Sequence, residues 1–197
     1  SITEWLLKKG KQVLVLVPEI GLTPQMIARF EQRIKDKVVA VHSQLNETQK
    51  QDAYLMAKSG KAKVILGTRS AIFTPIPKLG LVIVDEEHDG SFKQQSNFRY
   101  SARDLSFMRA KLANIPLILG TATPSLETLK NVVDQKLTRL VLSSRPGGAT
   151  LPEINLIDMR SQASEALSIP LVSKMEHYLK EDKQVMLFIN RRGYAPV

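Results

Sequence analysis

Apolar positions along this chain follow two rhythms. Short, near-continuous apolar runs occur at Gln12–Val17, Val38–His42, Lys63–Leu66, Leu81–Val84 and Pro116–Leu119. Runs this short and this rich in Val, Ile and Leu predict strands buried on both faces. The stretches between them have helical spacing. Ile2–Lys9 reads as a helix stopped by Gly10. Thr23–Ile34 reads as a helix with Thr23 as N-cap and Pro24 at its first position, and Asn46–Lys58 as one capped by Asn46 and ended by Gly60. Ser101–Ala113 and Pro124–Asp134 complete the series, the second with Thr123 as its expected N-cap. Gly90–Tyr100 shows neither period and is expected to be a loop, as is Pro-bracketed Thr74–Lys78. Alternating strands and helices predict an α/β fold with a mainly parallel sheet flanked by helices.

The composition shifts at Ser143–Pro152, SSRPGGATLP, which reads as a linker. The expected organisation is therefore a first domain over 1–142, a linker over 143–152 and the start of a second unit over 153–197. That unit should hold a strand near Ile154–Ile157, a helix over Pro170–Lys180 and a strand over Gln184–Ile189. At about 45 residues it is too short for an ordinary domain and reads as truncated.

Charge adds a partner class. The 197 residues carry 28 Lys+Arg against 19 Asp+Glu, a formal net charge of +9. Such an excess suits a polyanion, with nucleic acid the first candidate. The chain has no cysteine, so it forms no disulfide and no Cys-based zinc site. No apolar span is long enough for a membrane helix, and the opening SITEWLLKKGK lacks a signal-peptide core. A cytoplasmic location is the default expectation.

The densest chemistry lies at LVIVDEEHD, Leu81–Asp89, where a buried strand runs into Asp85, Glu86, Glu87 and His88. Open parallel sheets place ligand sites at the carboxyl ends of their strands. Carboxylates there can hold Mg²⁺ through its waters and orient a water for attack on a phosphate.

DEEH preceded by PEIGLTPQ and GTRSA and followed by GTATPS resembles the superfamily-two helicase motor. LVPEIGLTPQMIARF, VILGTRSAIFTP, VIVDEEHDGSFKQQ, FRYSARDL, ILGTATPSLET and FINRRGYAP, six blocks in order, resemble the primosomal replication-restart helicases. The resemblance implies a RecA-like lobe and the beginning of a second. It also implies an ATP- and Mg²⁺-dependent motor moving 3′ to 5′ on single-stranded DNA, one that remodels stalled or forked DNA and helps reload the replicative helicase. Asp85 would hold Mg²⁺ and Glu86 would polarise the attacking water. Glu87 and His88 would link the nucleotide site to the DNA-contacting elements, and Thr121 and Thr123 would couple hydrolysis to movement. Pro18, Glu19 and Ile20 match a motif that touches one DNA strand's backbone, and Thr68 and Arg69 match a second DNA-contacting motif. Phe92, Phe98 and Tyr100 match an aromatic-rich loop whose rings could stack on bases, with Lys93 and Arg99 meeting phosphates. Each assignment has a plainer alternative: Pro18 ending a strand, Thr123 capping a helix, Arg69 a solvated charge, one or two rings capping the core. Partners implied are primosome and single-strand-binding proteins. The family's zinc-binding cysteines have no counterpart in this chain.

A motor of this class needs a phosphate loop, G-x-x-x-x-G-K-[ST]. The sequence lacks one: Gly10-Lys11 precedes Gln12, and Gly60-Lys61 precedes Ala62. The chain is thus expected to be a fragment beginning after that loop and its strand, with a sheet edge left open and no ATPase activity of its own. Two other readings stay open, a basic nucleic-acid-binding module without turnover and a metal-dependent nuclease built on Asp85, Glu86, Glu87 and His88.

Overall fold

A computed structural model describes residues 2–34, 36–144, 152–160 and 167–188. The chain divides into two compact units, Ser1–Leu140 and Val141–Val197.

The first unit is a five-stranded parallel sheet. Its elements follow in order: α1 (Ile2–Lys8), β1 (Gln12–Leu16), α2 (Pro24–Arg33), β2 (Val38–Val41), α3 (Glu47–Lys58), β3 (Val64–Gly67) and β4 (Leu79–Val84). A hairpin of β5 (Lys93–Gln94) and β6 (Tyr100–Ser101) comes next, then α4 (Ala102–Ala113), β7 (Leu117–Leu119) and α5 (Leu126–Val133). The sheet order is β2-β3-β1-β4-β7, which puts β1 and β4 at or beside the centre.

Strand periodicity divides the core. Leu14, Leu16, Ile65, Val82 and Val84 pack on the face that holds Ala53 and Ala57 of α3 and Ala102 of α4. Val13, Val15, Val17, Val64 and Leu81 pack on the opposite face, against Leu6 and Leu7 of α1 and Met26, Ile27 and Phe30 of α2. Burial on both faces is why these strands read as unbroken apolar runs. Gln12 is the polar exception. Its fully buried amide donates to the carbonyls of Ala57 and Ala62 at 2.9 and 2.8 Å and accepts from Lys78 N at 3.1 Å, so every arm is paired.

The caps at Thr23 and Asn46 form as expected. Thr23 Oγ1 accepts from Met26 N, and Asn46 shares a reciprocal capping box with Gln49. The last sheet strand is less buried than its sequence predicts. β7 is an edge strand, and Ile118 is 38% exposed.

The Gly90–Tyr100 stretch is more ordered than a loop. Residues Gly90–Phe92 form a 3-10 turn, and β5 pairs antiparallel with β6 through Lys93↔Ser101 and Gln94↔Tyr100. Strands of two residues are too short to show a period.

In the second unit α6 (Ile169–Lys180) forms with Ser168 as N-cap. The strand expected near Ile154–Ile157 is not formed: Ile154 and Leu156 are 79% and 96% exposed and join no sheet. Gln184–Phe188 likewise joins no sheet. A short apolar run needs a pairing neighbour to become a strand. Most of the expected linker, and residues 189–197, lie outside the described residues.

Candidate active site

Because the sheet is parallel, the segments following β1, β3, β4 and β7 all leave the same edge. Glu19 follows β1, Arg69 follows β3, Asp85–His88 follow β4 and Thr121–Thr123 follow β7.

Asp85 continues the ladder for one more bond, its N–H donating to Leu16 O at 2.8 Å. Its carboxylate is exposed, and Oδ1 accepts from Glu86 N at 3.1 Å. Gly120 lies against it, and a Cβ added there would stand 3.1 Å from Asp85 Oδ1. The glycine thus keeps open the space beside the carboxylate. Glu86 is also solvent-facing, and its backbone is left-handed with φ 47°. That conformation is uncommon for a side chain with a Cβ and costs ~1 kcal/mol or more.

Glu87 turns the other way and is buried. Oε1 accepts from Ser125 N at 2.8 Å. Oε2 accepts from Ser125 Oγ at 3.1 Å, Thr128 Oγ1 at 2.9 Å and Arg103 Nη1 at 3.3 Å. Burial pushes this carboxyl's pKa up, but the bonds from Ser125 and Thr128, then that from Arg103, outweigh burial and hold it below the ordinary glutamate value. Arg103 responds in the opposite sense. Burial lowers its pKa, while Asp104 and Glu87 together raise it above the usual guanidinium value. Glu87 is thus buried and fully bonded, and it joins the acid turn to the segment after β7 and to the start of α4. The nuclease reading loses its third carboxylate for the same reason. Among the described residues, no three His, Cys, Asp or Glu side chains are grouped to hold a metal ion.

His88 Nδ1 lies 2.8 Å from Thr121 Oγ1, and Nε2 lies 3.3 Å from Thr123 Oγ1. Thr123 N donates to Thr121 Oγ1 at 3.1 Å. Thr123 is not the cap of α5. That role belongs to Ser125, whose Oγ accepts from Thr128 N. Ser125 N also donates to Glu87 Oε1 at 2.8 Å, so the capping residue is itself held by the acid turn.

Across the sheet, the other expected contact residues divide. Pro18 is buried, Thr68 is 4% exposed and Phe92 is 1% exposed, packed into the core. Phe92 thus cannot stack on a base. Arg69 is not a free surface charge, since Nη1 donates to Ser91 O at 3.0 Å and Lys93 O at 3.2 Å, tying the end of β3 to the hairpin. Glu19, Lys93, Arg99 and Phe98 are exposed, Phe98 at 74%. Half-buried Tyr100 contacts Phe98 at 5.9 Å and Phe73 at 4.9 Å between ring centroids. A cleft of about 310 Å³ opens between these groups, lined by Glu19, Ser43, Thr68, Arg69, Ser70, Gln94, Asn97, Phe98 and Tyr100.

Four participants were not singled out from sequence: Arg103, Ser125, Thr128 and Gly120. Buried Arg103 sits in the FRYSARDL block and Ser125 in GTATPS, but pairing them with Glu87 requires the fold.

A DEAD/DEAH box helicase family model matches residues 2–132. The replication restart protein PriA of Haemophilus influenzae is 49% identical over 195 residues, which are 98% of this chain and 27% of that protein. PriA of Bacillus subtilis is 38% identical over 196 residues, 98% of this chain and 24% of that protein. PriA of Synechocystis is 44% identical over 198 residues, 96% and 24%. The chain spans about a quarter of the length of these curated relatives. Among solved structures, the Pyrococcus furiosus Hef helicase domain aligns with 14% identity and a TM-score of 0.45 over 66% of this chain and 26% of that one. The Mss116p DEAD-box helicase domain 2 aligns with 12% identity and a TM-score of 0.37 over 71% and 64%. Both superpositions are loose, and family membership rests on the sequence match. From its second residue through α5, with the DEEH acids at the end of β4, this chain belongs to the DEAD/DEAH box helicases.

Proposed function

We propose that the chain supplies the hydrolytic acids and part of the DNA-contacting surface of an ATP-driven replication-restart helicase. The observation that carries this reading is the pair of exposed carboxylates, Asp85 and Glu86, at the carboxyl end of β4, with His88 bonded to Thr121 at 2.8 Å. The likeness to replication restart proteins supports the biological setting. The parent protein would travel 3′ to 5′ on single-stranded DNA, remodel stalled forks and help reload the replicative helicase beside primosome and single-strand-binding proteins.

Asp85 fits a water-held Mg²⁺, because it is an exposed oxygen donor with clear space beside Gly120. When bound with ATP, the ion neutralises charge developing on the phosphates. Glu86 then orients and polarises the attacking water, its carboxylate turned to solvent by the left-handed backbone. His88 carries the state of the acids to Thr121 and Thr123. Single-stranded DNA lies along the same sheet edge, where Phe98 and Tyr100 offer stacking faces and Lys93 and Arg99 offer charge. Glu19 and the cleft beside Thr68 and Arg69 form the other margin of this surface.

The test is a protein of the relatives' full length carrying this sequence. ATP hydrolysis stimulated by single-stranded DNA, together with separation of a forked duplex only when ATP is present, is the expected result. DNA binding with no hydrolysis under any condition would replace this reading with that of a non-catalytic binding module.

A further inference from the structure

Arg103 and Glu87 form a buried pair that belongs to neither the reacting acids nor the DNA-facing surface. The Arg103 side chain is 9% exposed and that of Glu87 is fully buried. Arg103 is the second residue of α4. Ser101, the N-cap of that helix, is paired with Lys93 in the hairpin, and Tyr100 immediately precedes it. Exposed Phe98 thus lies two residues before Tyr100 of β6 and five before Arg103.

From Arg103 three hydrogen bonds diverge, and Nη1 also lies 3.9 Å from Glu127 Oε2. Nε donates to Asp104 Oδ1 at 3.1 Å, Nη1 donates to Ser125 Oγ at 2.8 Å, and Nη1 also meets Glu87 Oε2 at 3.3 Å. Ser125 N donates to the other Glu87 oxygen. The segment after β7 and the acid turn are thus pinned to the same point at the start of α4. Glu87 is bonded in sequence to Glu86, whose backbone holds the left-handed conformation at φ 47°. Such a conformation persists where its surroundings over-determine it. On one side Asp85 N is tied to Leu16 O, and on the other Glu87 N donates to Gly120 O at 3.1 Å while its carboxylate sits in the clasp. Arg103, two residues after Ser101 of the hairpin, thus stands between the hairpin and the clasp that holds Glu87 and the peptide that aims Glu86.

We infer that Arg103 is a positioning residue that conveys occupation of the aromatic hairpin to the hydrolytic acids through its buried bond to Glu87. The inference rests on the reading of the chain as part of a DNA-stimulated ATPase. It assigns a role to a residue that touches neither nucleotide nor nucleic acid.

The experiment uses the full-length protein that carries this chain. Hydrolysis is measured without DNA and across a titration of single-stranded oligonucleotide, for the wild type and for Arg103→Gln, Arg103→Lys and Ser125→Ala. The decisive quantity is the ratio of DNA-saturated to DNA-free rate, which a reduced fraction of folded enzyme leaves unchanged. In Arg103→Gln that ratio falls at least fivefold, while the half-saturating oligonucleotide concentration stays within twofold of wild type. Arg103→Lys recovers part of the ratio, because the charge opposite Glu87 returns without the forked geometry that also reaches Asp104. Ser125→Ala removes the hydroxyl shared by Arg103 and Glu87 but keeps the backbone bond, so its ratio falls less than that of Arg103→Gln. Should Arg103→Gln fail to fold, a ratio lowered in Ser125→Ala supports the proposal and an unchanged one overturns it. An unchanged ratio in Arg103→Gln, with both rates lowered together, would reduce Arg103 to a support of the fold. A large shift in half-saturating concentration at an intact ratio would place it in the binding surface instead. A wild-type protein with no DNA-stimulated hydrolysis would overturn the functional reading, and this proposal with it.

Discussion

His88 Nδ1 stands 2.8 Å from Thr121 Oγ1, joining the turn after β4 to the turn after β7 across the sheet edge. If this contact couples the acids to the neighbouring segment, the two residues act as one unit. His88→Ala and Thr121→Val should each lower DNA-stimulated hydrolysis about tenfold, and the double variant should lose little more than either single one, because coupled neighbours are non-additive. Full additivity in a double-mutant cycle on the hydrolysis rate would show that the contact carries no coupling.

Glu87 gives a pH signature. Its carboxyl is held below the ordinary value in the folded chain, by bonds that outweigh burial. An unfolded glutamate titrates near ~4.3. The folded form binds the proton less readily, so this group's contribution to stability is full above that pH and is lost as pH falls through the lower folded value. Melting temperatures of the 197-residue chain between pH 6 and pH 3 should fall more steeply for wild type than for Glu87→Gln. Parallel curves would mean that Glu87 is not held ionised by the clasp.

The aromatic residues of the hairpin region should separate into two behaviours. Phe92 is 1% exposed, and Phe92→Ala should cost ~3–5 kcal/mol of stability, as for other buried Phe truncations. Phe98 is 74% exposed, so Phe98→Ala should leave the melting temperature unchanged and weaken single-strand binding by ~1–3 kcal/mol. Thermal melts and an anisotropy titration on the same two variants decide the matter. Unaltered affinity in Phe98→Ala would remove that ring from the DNA surface.

Gly120 leaves room beside the Asp85 carboxylate. A methyl group at this position would sit 3.1 Å from Asp85 Oδ1, tighter than most Cβ contacts. Gly120→Ala should therefore raise the Mg²⁺ concentration needed for half-maximal hydrolysis several-fold, with little loss of stability. An unshifted Mg²⁺ dependence would show that the space beside Asp85 is not used.

Much of this arrangement is legible in the sequence, and the reason is periodicity. Strands such as Val64–Gly67 and Leu79–Val84 are buried on both faces and declare themselves as apolar runs, and Thr23 and Asn46 announce their helices by capping chemistry. The acid turn was legible because four polar residues follow a buried strand. What the sequence could not disclose is which way each of those residues faces. Asp85 and Glu86 point to solvent while Glu87 points inward, and that reversal depends on Ser125, Thr128 and Arg103 arriving from 16 to 41 residues away. The α5 cap is Ser125, not Thr123, and Ser125 is also bonded to Glu87 from 38 residues away. The expected strand at Ile154–Ile157 failed for the complementary reason: local apolar pattern without a pairing neighbour does not make a sheet.

Glu86→Gln tests whether Glu86 polarises the water that attacks ATP. The amide keeps the size of the side chain and loses the proton-accepting charge. In the full-length protein, DNA-stimulated ATP hydrolysis is measured beside single-strand affinity. Hydrolysis should fall at least ~100-fold, the lower end of what a positioned general base contributes, while single-strand affinity stays within twofold of wild type. Near-wild-type hydrolysis in Glu86→Gln would mean that Glu86 does not polarise that water.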